Sequence, residues 1–273
     1  MDFVDPPFRL PQLVNDPGLS QVYGFLASKP DLIGIIGRGI RKAFDEVIDG
    51  PRTGRFRIEQ LEKTEKTYIG TKVEIVLRAE LELERGLILD NLICGHEVDT
   101  KFSISGSWMI PREAVGQICL LVAGNDNTGR FITGLLRMTD DVLTQGANQD
   151  GKRTVSAVGR RHIVWLADDS PMPRNFLLHL PHDVRDYIMR QPSGMQRVQA
   201  LFQTVTGQII PRTAIEQVAQ QKDPMRRARQ MKERLARENY HVLCATYEAD
   251  RVHFHRYGFY QFGTDDWLSI RVN

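Results

Sequence analysis

Apolar positions recur at helical spacing through "DLIGIIGRGIRKAFDEVI" (31–48), and the run stops at the turn-forming "DGPRTGR". The next stretch, "TYIGTKVEIVLRAELELE" (67–84), alternates: Val73, Ile75, Leu77 and Ala79 fall to one side, Glu74, Val76 and Arg78 to the other. A period of two predicts a half-buried strand or an irregular edge. "LILDNLICGHEVDTKFS" (87–103) then predicts a β-hairpin that turns near Cys94 and Gly95. In "PREAVGQICLLVAG" (111–124), Pro111 stands where a first helical residue is tolerated, ahead of a fully apolar run. "GRFITGLLRMT" and "RRHIVWLA" read as strands between loops rich in Gly, Asn, Asp and Gln.

All periodicity breaks at "DDSPMPRN" (168–175), and the character changes beyond it. "SGMQRVQALFQTV", "TAIEQVAQQ" and "DPMRRARQMKERLAREN" predict three short helices, and "YHVLCATYEADRVHFHRYGFYQF" (240–262) alternates like a β-ribbon. Three helices and then a hairpin is the chain order of a winged helix. The expected organisation is a first domain over 1–169, a linker over 170–175 and a second domain over 176–273. There is no internal repeat.

Composition narrows the class. At 273 residues, 41% hydrophobic and 26% charged, the chain can bury two cores, and disordered or fibrous classes fall away. The start "MDFVDPPFRL" lacks a basic-then-apolar leader, and no apolar run approaches the roughly 18 residues of a membrane span, so a cytoplasmic, membrane-free protein is expected. Cys94, Cys119 and Cys244 are odd in number and widely spaced, which indicates neither a disulfide framework nor a structural zinc site. A formal net charge of +2 gives no global reason to bind a polyanion; local basic patches would have to do so.

The predicted hairpin carries the candidate chemistry. Alternation puts Glu97, Asp99, Lys101 and Ser103 on one face and Val98, Thr100, Phe102 and Ile104 on the other. Asp90 lies nine residues before Asp99, on the strand that pairs with it. Two carboxylates brought together repel unless a cation sits between them, and Mg²⁺ characteristically takes one or two carboxylates with phosphate and water. Lys101 points at the same volume, where it could orient a water or offset charge on a phosphoryl group. Glu74 could support a second ion or orient Lys101. The bland alternative is a solvated strand face, since a D-x-K triplet alone is a short pattern.

The order acid, Asp, D-x-K resembles the PD-(D/E)xK nuclease superfamily. Within it the chain is similar to the NaeI-type restriction endonucleases, through "IDGPRTGR" (48–55), "LEKTEKTYIGTKVEI" (61–75) and "GHEVDTKFS" (95–103). The resemblance implies an α/β fold: a restriction-endonuclease-like mixed-sheet core followed by a winged-helix (helix-turn-helix) domain. It implies Glu74, Asp90, Asp99 and Lys101 as catalytic residues, the three acids as metal ligands, and Mg²⁺ as cofactor. The implied activity is type II cleavage of double-stranded DNA at a GC-rich palindrome by a homodimer, with a second DNA copy activating from the C-terminal domain. A cognate DNA methyltransferase would share the site without needing to bind. Leu89 stands where the superfamily's name has proline. "VIDGPR" also resembles the K-x-D-G-x-R motif of DNA ligases, but Val47 replaces its lysine and no covalent nucleotide can form. Arg52 and Arg55 are expected near DNA phosphates.

In the second half, Thr213 and Glu216 suggest a capping box, and Asp223 with Pro224 opens the next helix. Met225, Ala228, Met231 and Leu235 form its apolar stripe, leaving six basic residues against three acids. A recognition helix reads the major groove with its N-terminal residues, so Arg226, Arg227, Arg229 and Lys232 are the candidate DNA contacts. His253, His255 and His162 are expected to be structural. Two other readings stay open: a DNA-binding regulator with an inactive nuclease core, and a nicking repair nuclease.

Overall fold

The computed structural model describes residues 11–272. They form two compact units: one from the residues up to Val47 together with Leu61–Arg174, the other from Ile48–Gln60 together with the residues from Asn175 onward. No helix among the described residues is long and apolar enough to cross a membrane.

The first unit is built on a six-stranded sheet flanked by helices α1 (Pro17–Ala27), α2 (Leu32–Ile48) and α3 (Lys63–Glu80). Its strands are β1 (Glu84–Arg85), β2 (Asn91–Ile93), β3 (His96–Ser103), β4 (Ile118–Asn125), β5 (Arg130–Arg137) and β6 (Val164–Pro171), in that spatial order. β3 and β4 run parallel and every other neighbouring pair is antiparallel, so the sheet is mixed. A parallel pair needs a long crossover. Here it includes Met109–Ile110, which pairs with Arg153–Thr154, and Trp108, whose indole N–H donates to the Val122 carbonyl at 2.8 Å. β4 is apolar along its length because both of its faces are covered. On α2, Ile36, Ile40 and Phe44 are buried, and the Phe44 ring meets Phe102 edge-on at 5.7 Å. Gly124 lets this helix approach: a Cβ there would lie 3.0 Å from Ile40 Cγ2.

Three sequence expectations in this unit are corrected. The stretch that alternates around Glu74 is the helix α3, with Ile69, Val73, Val76 and Leu77 buried at helical spacing; Ile75, assigned inward by the strand reading, is exposed. Pro111 opens only a single 3₁₀ turn, Arg112–Ala114, before the chain extends into β4. β6 continues to Pro171, where a linker was expected, and the division between units falls after Arg174.

The second unit holds α4 (His182–Met189), α5 (Gly194–Thr204), α6 (Arg212–Ala219) and α7 (Pro224–Ala236) around a core that includes Leu201, Phe202, Ile215, Met231 and Trp267. Its antiparallel sheet has β8 (Tyr240–Cys244) on one side of β9 (Trp267–Arg271) and β7 (Ile209–Ile210) on the other. The ribbon predicted over 240–262 is therefore absent: after β8 comes the helix α8 (Glu248–Arg256), which carries His253 and His255, and the partner strand β9 lies further on. The Asp250 carboxylate accepts the Cys244 N–H at 2.8 Å, and Phe254 packs with Leu243, Ala245 and Leu268, which ties the helix back onto the strand. The capping box at Thr213 does not form. Pro211 precedes the helix, and Glu216 accepts instead from Arg212 at 2.7 Å. Asp223 does cap α7, accepting the Arg226 N–H at 2.9 Å.

The "DGPRTGR" segment belongs to this unit rather than to the first domain. A Cβ on Gly50 would come within 2.5 Å of Gln217 Cγ, and Gly54, at φ +72°, packs against Gln220. Only glycine allows both the approach and the left-handed backbone. The Asn175 amide donates to the Phe56 carbonyl at 2.8 Å and fixes the far end of the segment.

Candidate active site

The β2–β3 hairpin turns on Cys94 and Gly95, both at positive φ (51° and 78°), the geometry of a two-residue hairpin turn. The register pairs Ile93 with His96, Leu92 with Glu97 and Asn91 with Val98. Its continuation sets Asp90 across from Asp99, and Asp90 Oδ2 accepts the Thr100 N–H at 2.8 Å. Asp99 is only 3% exposed, which requires an opposite charge close by. Lys101 supplies it, with Nζ 2.9 Å from Oδ1 and 2.8 Å from Oδ2.

Glu74 arrives from α3. It shares a hydrogen bond with Asp90 and lies 3.5 Å from Arg78, one turn further along the helix. Arg78 also donates to the Asp90 backbone carbonyl at 3.1 Å, so one guanidinium spans the helix and the hairpin. Sequence alternation passed over this residue. Its signal was the four-residue spacing from Glu74, visible only once the stretch is read as helical.

The electrostatics are those of crowded acids. Burial, then the Asp90 charge and their shared hydrogen bond, push Glu74 up to about 7, against the pull of Arg78 and Lys101. Burial and a hydrogen bond shared with Asp90 likewise push Asp99 up to about 7, against Lys101. Burial works against the Lys101 charge, but Asp99 and Asp90 more than compensate and its pKa is raised; the group stays an ammonium. Behind the cluster, Cys119 pairs with Asp99 across the parallel strands, and burial raises its thiol well above the ordinary range.

Among the described residues no three acidic, histidine or cysteine side chains converge as ligands on one point. The three carboxylates are instead linked pairwise through Asp90. The donor set is all oxygen, and burial together with the neighbouring carboxylate raises two of its members to about 7. Both features fit a hard divalent cation.

Glu97 belongs to none of this. Its carboxylate accepts the N–H groups of Leu87 (2.8 Å), Ile88 (3.3 Å) and Leu89 (2.8 Å), and the bonds from Leu89 and Leu87 hold its pKa down. It shares a strand with Asp99 and Lys101 but serves the turn before Asp90.

Among the candidate DNA contacts, Arg226 and Arg229 are exposed on α7, while Arg227 is half-buried and bonded to Gln221 and Gln230. Lys232 is committed to Asp250, which also holds β8 through the Cys244 N–H. Arg52 is 83% exposed beside Asp49, and Arg55 Nε donates to the Ile48 carbonyl at 3.2 Å. Both belong to the second unit.

Residues 25–273 match the family model described as restriction endonuclease NaeI. The type II restriction enzyme NaeI of Lentzea aerocolonigenes is 42% identical over 198 residues, which cover 70% of this chain. The matched part spans 62% of that enzyme's own length. With nine-tenths of its length inside the family model, the chain belongs to the NaeI restriction endonuclease family.

Proposed function

We propose that this protein is a Mg²⁺-dependent type II restriction endonuclease that hydrolyses phosphodiester bonds in double-stranded DNA at a GC-rich palindrome. The observation that carries the reading is the meeting of Glu74, Asp90, Asp99 and Lys101 in a chain of this family. Asp90 and Asp99 would hold the ion, with Glu74 in support. When bound, Mg²⁺ supplies Lewis acidity at the scissile phosphate.

The chain's own groups do the rest. Lys101, kept protonated and oriented by both Asp99 oxygens, positions the attacking water and offers its remaining N–H donors to the charge that develops as the 3′ oxygen leaves in line. Arg78 fixes Asp90 through its backbone, so the carboxylate need not reorganise.

A palindromic duplex is cut on both strands by two-fold related sites, so the working form is a homodimer. The second unit acts as a winged-helix-type DNA-binding domain, with α6 and α7 as the helix pair and Arg226, Arg227 and Arg229 as contacts. Arg52 and Arg55 add phosphate contacts from the docked segment, and a second DNA copy bound there activates cleavage. Such an enzyme works in the cytoplasm beside a methyltransferase that protects the same site.

Incubating purified protein with plasmid DNA and Mg²⁺ tests the reading, with Asp99→Ala as control. Discrete linear fragments, lost in the variant and in chelator, support it. Relaxed circles alone would indicate a nicking enzyme, and binding without cleavage a regulator; either result overturns the restriction assignment.

A further inference from the structure

Leu87 and Ile88 are 93% and 80% exposed, the most exposed large apolar side chains among the described residues. They sit at the tip of the β1–β2 turn, which leads directly into Asp90. This tip is held firmly. Three successive N–H groups, Leu87 to Leu89, donate to the Glu97 carboxylate, and the Gly86 N–H closes onto the Asp90 carbonyl at 3.3 Å. Gly86 is packed so tightly that a Cβ there would lie 2.4 Å from Glu97 Oε2 and from the Leu89 carbonyl oxygen.

We propose that Leu87 and Ile88 form an apolar wedge that enters a base step of the duplex beside the scissile phosphate, and that Glu97 is the positioning residue that sets it. The proposal rests on the assignment of Asp90 to the phosphate-cleaving site. Ile88 lies two residues from Asp90, a reach of about 7 Å along extended chain. Base steps follow every 3.4 Å or so along a strand, so the wedge meets the duplex within about two steps of the bond to be cut. Two aliphatic tips on a short turn fall far short of the roughly 800 Å² per partner that a stable protein interface buries. They are what partial unstacking of one base step requires, and proteins that kink DNA use side chains of this kind. A pre-set turn adds no ordering cost on binding. Opening the step bends the duplex and carries the phosphate onto Asp90, Asp99 and Lys101.

The test uses the full-length protein and an oligonucleotide duplex bearing the cut site, mapped from fragment ends of a plasmid digest, with 2-aminopurine on either side of the cut. Single-turnover cleavage and 2-aminopurine fluorescence are followed together after adding Mg²⁺. Wild type is expected to raise the fluorescence before cleaving. The double variant L87A/I88A loses most of that rise and cleaves at least about tenfold more slowly, and E97Q shows a smaller loss of both. L87A/I88A that matches wild type in fluorescence and rate overturns the wedge while leaving the nuclease reading intact. A fall in oligomeric mass in L87A/I88A by light scattering also overturns it, making the turn a protein interface. Wild-type protein that cuts no DNA defeats the nuclease reading and the wedge with it.

Discussion

Asp90 Oδ2 accepts the backbone N–H of Thr100 at 2.8 Å, a bond across the hairpin that seats one acid of the cluster against another, Asp99. Every other contact of the site is organised around that pair: Lys101 on Asp99, Glu74 on Asp90, and Arg78 behind both.

Two acids near this pair are expected to separate by function. With Glu74 supporting the metal as proposed, Glu74→Ala should lower cleavage by about 10²-fold or more and weaken Mn²⁺ binding measured by titration calorimetry. Glu97→Ala should lose far less activity and leave the metal isotherm unchanged, since its carboxylate faces only the N–H groups of Leu87, Ile88 and Leu89. The reverse order would overturn both roles.

Crowding of the carboxylates has a pH signature in the metal-free protein. Glu74 and Asp99 rise from ordinary values of 4.5 and 3.8 to about 7 on folding, so between roughly pH 4 and 7 the folded state binds more protons than the unfolded state. Stability contributed by these groups therefore falls as pH rises through that window. Glu74→Gln, which removes one repelling charge beside Asp90, should raise Tm at pH 8 in chelator by about 2–4 °C, near 1 kcal/mol for a unit of this size. At pH 4.5 the gain should vanish; an equal gain at both values would mean that the effect is not electrostatic.

The hairpin was legible in the sequence because its signals agree: alternation, the Cys94–Gly95 turn and the nine-residue spacing of Asp90 and Asp99 all demand one register. Glu74 was assigned to the wrong kind of element, since Val73, Ile75 and Leu77 satisfy a period of two locally. Burial at Ile69, Val73, Val76 and Leu77 resolves the stretch as helix, and that depends on what α3 packs against. In the second unit, the short alternation in "YHVLC" was extended over residues that form α8. Glu248 and Asp250 in the first turn of that helix, with His253, His255 and Arg256 in its last, match the helix dipole and were the overlooked signal. The docking of Gly50 and Gly54 on α6 is tertiary, and no local pattern announces it.

Arg137 makes a two-pronged contact with Asp16, 2.7 Å from Nε to Oδ2 and 2.8 Å from Nη2 to Oδ1, which ties the start of α1 to the end of β5. Asp16 also caps the helix by accepting the Leu19 N–H at 2.9 Å. The Arg137 hydrogen bond is the main reason that its pKa lies below 3.8, so the stability it contributes is present above 3.8 and is lost as pH falls from there through the depressed folded value. Asp16→Asn should cost about 1–2 kcal/mol at pH 7. The gap between thermal melts of the two proteins should narrow as pH falls below 3.8, and a constant gap through that range would assign the cost to packing instead of charge.

The basic residues of α7 divide into two groups that a salt titration can tell apart. Arg226 and Arg229 project from the helix surface, whereas the Lys232 ammonium is held by Asp250, a largely buried acid that also accepts the Cys244 N–H. Arg226→Ala and Arg229→Ala should leave Tm within about 2–3 °C, because exposed positions contribute within about 0.5 kcal/mol. Each should reduce the slope of log K against log salt for DNA binding by about one, the value for one phosphate contact. Lys232→Ala should behave in the opposite way. It leaves Asp250 without its counter-charge beside β8 and costs about 1–3 kcal/mol of stability, while the salt slope changes little. Lys232→Ala protein that melts like wild type yet loses a unit of slope would return Lys232 to the DNA-binding face and make the Asp250 pair dispensable.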